Sequence, residues 1–307
     1  GQGEAGDRHQ AGGGEVMRLR RTRMYAPGNN PKVLSKGTTP GADSVILDLE
    51  DSVAPAQKDA ARDLVRQALE NVDFGGAEVL CRINPMSTGY GPEDVRAIGH
   101  LVDGLVVPKC ETKADVLQVD ALLEEVEAEH GLTVGKVGIV PLIETARGVL
   151  NAYEVATASP RNISLAFGAE DYTADVGGLR TKDGISMLWA RSQIVAAAKA
   201  AGIQASDTVF GDFRDEEGLF AEARQAYEMG FDGKGAIHPK QLPIIISAFT
   251  PDDKAIEKSQ KVMAAIRRAE EEGSGVAALG GKMIDAPVRA RAEKVLALAR
   301  AAGKLDE

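Results

Sequence analysis

The chain has 307 residues, 44% of them hydrophobic and 27% charged, with 36 Lys+Arg against 46 Asp+Glu for a net charge of −10. This composition excludes a globally disordered chain, and the acidic balance disfavours nucleic acid as the main partner, because phosphate binding needs a basic face. The longest apolar run, Leu242–Phe249, falls far short of the ~18 residues of a membrane span, and the start shows no charged segment followed by an apolar one, so neither a membrane protein nor a secreted one is expected.

Residues 1–15 are Gly-rich, polar and without periodicity, and a disordered tail over 1–16 is expected, with a solvated His9. A repeating pattern then begins. Short β-rich runs occur at Arg23–Ala26, Ser44–Leu49, Glu78–Ile83, Gly104–Val107, Val137–Ile143, Ile163–Phe167, more weakly at Ile203–Val209, and at Gly235–Ile237. Amphipathic segments lie between them, including Pro55–Leu69, Lys113–Glu129, Ala146–Ala156, Gly184–Ala201 and Glu216–Met229. Alternation of strand and helix means parallel strands. Eight such units predict an α/β fold, a (β/α)8 TIM barrel over residues 17–250. The rival, a doubly wound open sheet, wants a Gly-rich turn after the first strand, and that turn here reads APGNNPK. Residues 251–307 form a C-terminal helical extension, with a charged helix over Asp252–Glu272 capped at Thr250-Pro251, a Gly-broken stretch, and a last helix over Pro287–Ala302. The apolar stripe of that helix must be buried, on its own barrel or on a neighbouring subunit.

In such a barrel the site forms where the strands end. The second run ends in Asp48, Glu50 and Asp51, the third in Arg82 and Asn84, the fourth in Lys109, the fifth in Glu144, the sixth in Glu170 and Asp171, and the eighth in His238. Apolar stems with ionic tips on six strands point to one charged mouth. Crowded carboxylates repel unless a cation sits among them, and an oxygen-only donor set suits Mg2+. Four scattered His and no Cys/His spacing argue against zinc. A carboxylate–Mg2+ site beside an Arg suits a small oxyanionic substrate such as a 2-oxo or 2-hydroxy acid. Asp48 reads as a supporting carboxylate, His238 as a base or a backbone-bound His, and Trp189 and Met187 as core. Cys81 is expected under the helices, opposite Arg82. Cys110 reads as inert, and two cysteines in all suggest a reducing, cytoplasmic setting.

At LRRTRMYAPGNNPK, DLEDSV, RIN, VVPKCET, PLIET and GAEDYTAD, in that order over residues 20–302, the sequence strongly resembles the citrate lyase β-subunit family, which includes citryl-, malyl- and citramalyl-CoA lyases. Further matches are AGIQASDTVFGDFRDEEG, GFDGKGAIHP and GGKMIDAP. The resemblance implies a TIM barrel and a Mg2+-dependent lyase that cleaves a 3-hydroxy-3-carboxyacyl thioester by a reverse Claisen reaction. It implies metal ligands at Glu144 and Asp171, with Glu50, Asp51 and Glu170 in support. It implies a substrate-binding and catalytic Arg82 that stabilises the departing enolate, and an acid/base at Asp285 reaching a neighbouring subunit's site; Glu144, Lys109 and Tyr25 are expected to contact the substrate as well. The substrate is an acyl-CoA or acyl-carrier-protein thioester, and the assembly a homotrimer or a hexamer. A 2-oxo acid aldolase acting on free pyruvate is a second reading, against which Asp51 stands where those enzymes carry His. A non-catalytic homologue is a third.

Overall fold

A computed structural model describes residues 18–37, 41–274 and 276–305; the expected tail over 1–16 lies outside the described residues. The chain divides into a unit over Arg20–Phe249 and an extension that starts at Thr250.

The first unit is a closed barrel of eight parallel strands in chain order. These are β1 (Thr22–Pro27), β2 (Ser44–Asp48), β3 (Glu78–Arg82), β4 (Gly104–Val107), β5 (Gly138–Ile143), β6 (Ser164–Phe167), β7 (Gln204–Asp207) and β8 (Gly233–Ala236). The sheet closes where Arg23 of β1 pairs with Gly235 of β8. Side chains alternate along each strand and are buried on both faces. Ile46, Leu80, Val106, Val140, Leu142 and Ala166 fill the lumen. Val45, Leu47, Cys81, Leu105 and Ile139 pack outward in the layer shared with the helices. Cys81 is fully buried there, as its alternation with Arg82 predicts.

Where the strands start, ion pairs close the barrel. Arg20 grips Glu78 through Nε and Nη2 at 2.7–2.9 Å, and Ser44 Oγ donates to the same carboxylate at 2.9 Å. Arg21 holds Asp43 at 2.9 Å, and Arg161 holds Glu127 at 2.7 and 2.9 Å. A second buried network joins the last two strands, with Lys234 reaching Asp207 at 3.2 Å and Glu222 at 2.6 Å, while Arg191 holds Asp207 at 2.9 and 3.0 Å.

The eighth strand is shifted from Gly235–Ile237 to Gly233–Ala236. Its GKGA sequence hides it, because Lys234 is charged yet fully buried, and Gly233 has no room for a side chain. A Cβ there would meet the Arg20 carbonyl oxygen at 1.8 Å. Trp189 departs from expectation and is 54% exposed, whereas Met187 is buried. The segment Ala146–Ala156 is two short helices, Ala146–Leu150 and Ala152–Ala156, parted at Asn151, whose Nδ2 donates to the Glu111 carbonyl.

Within the extension, the helices Asp253–Glu271 and Ala286–Ala301 flank a hairpin of β9 (Ala277–Leu279) and β10 (Lys282–Ile284). The first of them is capped by Asp252, which accepts from Ala255 N at 2.7 Å, rather than by Thr250. Gly280 and Gly281 form the hairpin turn with φ of 58° and 78°, the positive pair a tight two-residue turn demands. A defined turn stands where the sequence suggested only chain-breaking glycines. Leu296 and Ala299 pack on Ile256, and Ala292 packs on Val262 and Ile266. The last helix therefore buries its stripe inside the extension itself, and that stripe does not require a neighbouring subunit.

Candidate active site

At the strand ends of the barrel lies a cavity of ≈390 Å3. Tyr25, Asp48, Asp51, Arg82, Glu144, Glu170 and Asp171 all line it, with Phe167, Gly168 and Thr208. Seven ionic or phenolic side chains singled out by sequence thus converge on one mouth. Glu50 and Lys109 border the same cluster through their contacts with Arg82 and Asp171.

Arg82 is the most firmly held of them. Its Nε and Nη2 donate to the two oxygens of Asp48 at 2.7 and 2.8 Å, a forked pair that fixes the guanidinium plane. Asp48 in turn accepts from the backbone N–H groups of Glu50 and Ser52, so the whole DLEDS turn is built around it. Burial pushes the Asp48 carboxyl up, but the Arg82 hydrogen bonds and charge outweigh it and leave the group below its ordinary range. The remaining Arg82 nitrogen, Nη1, lies 2.9 Å from Glu50 and 3.1 Å from Asp51. The guanidinium also rests over the Tyr25 ring, 5.3 Å from its centroid. Burial raises the Tyr25 hydroxyl to about 12.

Glu144 follows directly on β5 and is 2% exposed. Gly168, after β6, makes room for it, since a Cβ at Gly168 would come within 2.5 Å of Glu144 Oε2. Its Oε1 accepts from the Lys109 backbone N–H at 2.8 Å. Burial, and then repulsion from Glu50 and Asp171, push Glu144 up to about 8. Glu50, 5% exposed, rises to about 7, chiefly through burial, and its Oε2 is buried without a hydrogen-bond partner despite the nearby Arg82. Asp171 stands on the short helix Ala169–Asp175, half exposed. Glu50, Glu144 and Asp171 thus face one another with too little positive charge between them.

That is the fit expected for a hard divalent cation with oxygen ligands. Among the described residues no three His, Cys, Asp or Glu close tightly enough to hold an ion by themselves. Mg2+ takes one or two carboxylates and completes its shell with water and substrate oxygens.

The other candidates fall elsewhere. Glu170 lines the cavity but is engaged by Arg180 at 3.1 Å, away from the carboxylate cluster. His238 stacks on Phe213 and accepts from Lys240 N at 3.2 Å, the backbone-bound state rather than that of a base. Cys110 is fully buried and burial raises its thiol, which leaves no reactive thiolate. Asp285 belongs to the extension, where its Oδ1 accepts from Val288 N at 2.9 Å and caps the last helix. Sequence reasoning missed Arg23 and Thr208. Arg23 shares the inward face of β1 with Tyr25, so strict alternation in TRMYAP carried the signal. Thr208 Oγ1 accepts from Ala169 N at 3.1 Å and steadies the helix that carries Asp171; nothing local marks it.

Among known proteins, the HpcH/HpaI aldolase/citrate lyase family matches residues 21–239. The citrate lyase subunit beta of Leuconostoc mesenteroides subsp. cremoris is 44% identical over 94% of this chain and 96% of its own. An L-malyl-CoA/beta-methylmalyl-CoA lyase of Rhodobacter capsulatus is 35% identical over 91% and 94%. The protein CitE from Mycobacterium tuberculosis, solved with magnesium, acetoacetate and coenzyme A, superposes with a TM-score of 0.74 at 34% identity, covering 93% of this chain and 98% of that one. The chain belongs to the HpcH/HpaI aldolase/citrate lyase family and is an enzyme of its carbon–carbon lyase class.

Proposed function

We propose that this enzyme uses Mg2+ to cleave a 3-hydroxy-3-carboxyacyl thioester of the citryl, malyl or citramalyl type into a 2-oxo acid and an acyl thioester. The observation that carries the reading is the cluster of Glu50, Glu144 and Asp171, short of positive charge, beside an immobilised Arg82 at the mouth of the barrel. Glu144 and Asp171 would hold the metal, with Glu50 and Asp51 supporting its waters. When bound, the metal supplies Lewis-acid charge to the substrate's carboxylate and hydroxyl oxygens. Arg82 remains charged throughout and offers Nη1 to the oxyanion that develops as the carbon–carbon bond breaks. Asp48 keeps that fork from swinging away. Tyr25 and Lys109 border the space a carboxylated substrate fills. The magnesium and coenzyme A in the related M. tuberculosis protein support the cofactor and the thioester. The thioester is carried by CoA or by an acyl carrier protein.

The family resemblance further supports a homotrimer or a hexamer in which Asp285 of one chain serves as acid/base at the mouth of another. Its capping bond uses one carboxylate oxygen in the geometry of a helix start, and the resemblance, rather than the packing of the last helix, carries this part of the reading. The direct test is to incubate the purified protein with citryl-, malyl- and citramalyl-CoA in Mg2+ or EDTA and follow 2-oxo acid release. Mg2+-dependent release from at least one thioester is expected. No release from any of them, or equal release in EDTA, overturns the reading.

A further inference from the structure

Among the described residues, Lys109 is the only non-glycine residue with a positive φ, 53°. Lysine has no intrinsic preference for this left-handed conformation, so the fold around it imposes the twist. The residue that follows is well anchored. Cys110 N donates to the Leu142 carbonyl, and the Cys110 thiol to the Val107 carbonyl. The twist brings one residue to three carboxylates of the mouth. The Lys109 backbone N–H donates to Glu144, while Nζ stands 3.9 Å from Glu50 Oε1 and 3.8 Å from Asp171 Oδ1.

Arg82 and Lys109, the cations in contact with Glu50, are held in opposite ways. Arg82 is 12% exposed and bound by a fork to Asp48. The Lys109 side chain is 47% exposed, and both its ionic contacts are too long for hydrogen bonds. A half-exposed ammonium resting between two carboxylates is placed where a divalent cation would compete with it.

We propose that Lys109 is an internal stand-in for the metal. Its ammonium screens Glu50 and Asp171 while no divalent ion is bound, leaves when one enters, and is then free at the mouth to pair with the anionic substrate. The inference rests on the metal assignment made above and adds an order of events, with metal entry releasing the cation that the substrate meets. The left-handed backbone is part of the device, because it keeps the amide on Glu144 while the ammonium moves.

Two variants isolate the ammonium. Lys109→Gly and Lys109→Asn both tolerate a positive φ and so retain the amide bond to Glu144. Calorimetric titration of the full chain with MgCl2, without substrate, reads metal affinity directly. Both variants should bind Mg2+ at least about fivefold more tightly than the wild type, the scale for removing a half-exposed charge ~4 Å from the ligands. Their rise in melting temperature on adding Mg2+ should also exceed that of the wild type. If the wild type binds Mg2+ and both variants bind it equally or more weakly, the inference fails while the metal assignment stands. If the wild type binds no Mg2+, both fail.

Discussion

The two ends of the barrel use the same residue types to opposite effect. Where the strands start, the carboxylates are paired with arginines: Glu78 with Arg20, Asp43 with Arg21, and Glu127 together with Asp120 with Arg161. Burial works against the charge of Glu78 and Glu127, but the arginine hydrogen bonds win and both carboxyls lie below their ordinary range. Where the strands end, Glu50 and Glu144 are also buried and rise instead: burial dominates, neighbouring carboxylates add to it, and the Arg82 charge offsets it only in part. The carboxylates of the first end are matched by arginines. The second is left wanting a cation, and that deficit marks the working end of the enzyme.

Neutralising one carboxylate at each end should separate the two roles. Glu144→Gln and Asp171→Asn are expected to lower Mg2+-dependent turnover by roughly 10³-fold or more, since each removes a metal ligand and several kcal/mol of transition-state stabilisation. The metal-free melting temperature should hold or rise, because a repulsion is relieved. Glu127→Gln should do the reverse. It leaves Arg161 paired with Asp120, and losing the charged partner of both Nη atoms should cost about 1.5–3 kcal/mol of stability. Equal destabilisation by both kinds of variant, seen in thermal melts without metal, would erase the distinction between the ends.

Arg82→Lys probes the cation held by a fork beside the carboxylate cluster. An ammonium cannot reproduce the fork to Asp48 and still present Nη1 to the cavity. Turnover should fall by about 10²-fold, the scale of losing one oxyanion donor. A fall below about tenfold would make Arg82 peripheral.

The barrel was legible in the sequence because its strands are short apolar runs punctuated by charge, and Lys113–Glu129 and Glu216–Met229 are helices with the predicted bounds. The eighth strand was displaced because its signal is a buried lysine between glycines, and burial of Lys234 depends on Asp207 and Glu222, which are distant in the chain. The site residues were legible as types at strand ends. Their division of labour was not. That Asp48 fixes Arg82, that Glu170 turns to Arg180, and that Lys109 reaches three carboxylates are facts of three-dimensional pairing. The hairpin at Gly280–Gly281 needed the positive φ of both glycines to be seen.

Asp285 lies outside this contrast, in a second unit of the chain. Asn caps a helix about as well as Asp, so Asp285→Asn should leave the melting temperature and the oligomer size unchanged. As an acid/base it should lose at least about tenfold in turnover, the low side of general acid–base effects, since water can replace a proton donor on an exposed segment. Mixing it with Arg82→Ala under subunit exchange should restore part of the activity, because hybrid oligomers hold sites with both residues intact. Full activity in Asp285→Asn, or a monomer in sedimentation at micromolar concentration, would leave the residue as a cap and nothing more.

The smallest expected effect is a difference in pH response between the ends. Glu78 and Glu127 have lowered folded-state values, so the stability they contribute is present above the unfolded carboxylate range and is lost as pH falls through it. The mouth has the opposite sign. Glu50 and Glu144 titrate near about 7 and about 8 when folded, against 4.5 for the free side chain, so the metal-free protein binds more protons folded than unfolded between those values. Its stability must therefore fall as pH rises from about 5 to about 8. The two carboxyls interact, so the fall should spread over that window rather than break at one point. Mg2+ needs both groups ionised, and should flatten the decline by binding more tightly as pH rises. Melts in EDTA at about pH 5.5 and about pH 8 should differ by at least about 2 °C, a gap that saturating Mg2+ closes. A metal-free protein equally stable at both values would mean that the carboxylates of the mouth are neutralised within the chain, and that the deficit setting this end apart does not exist.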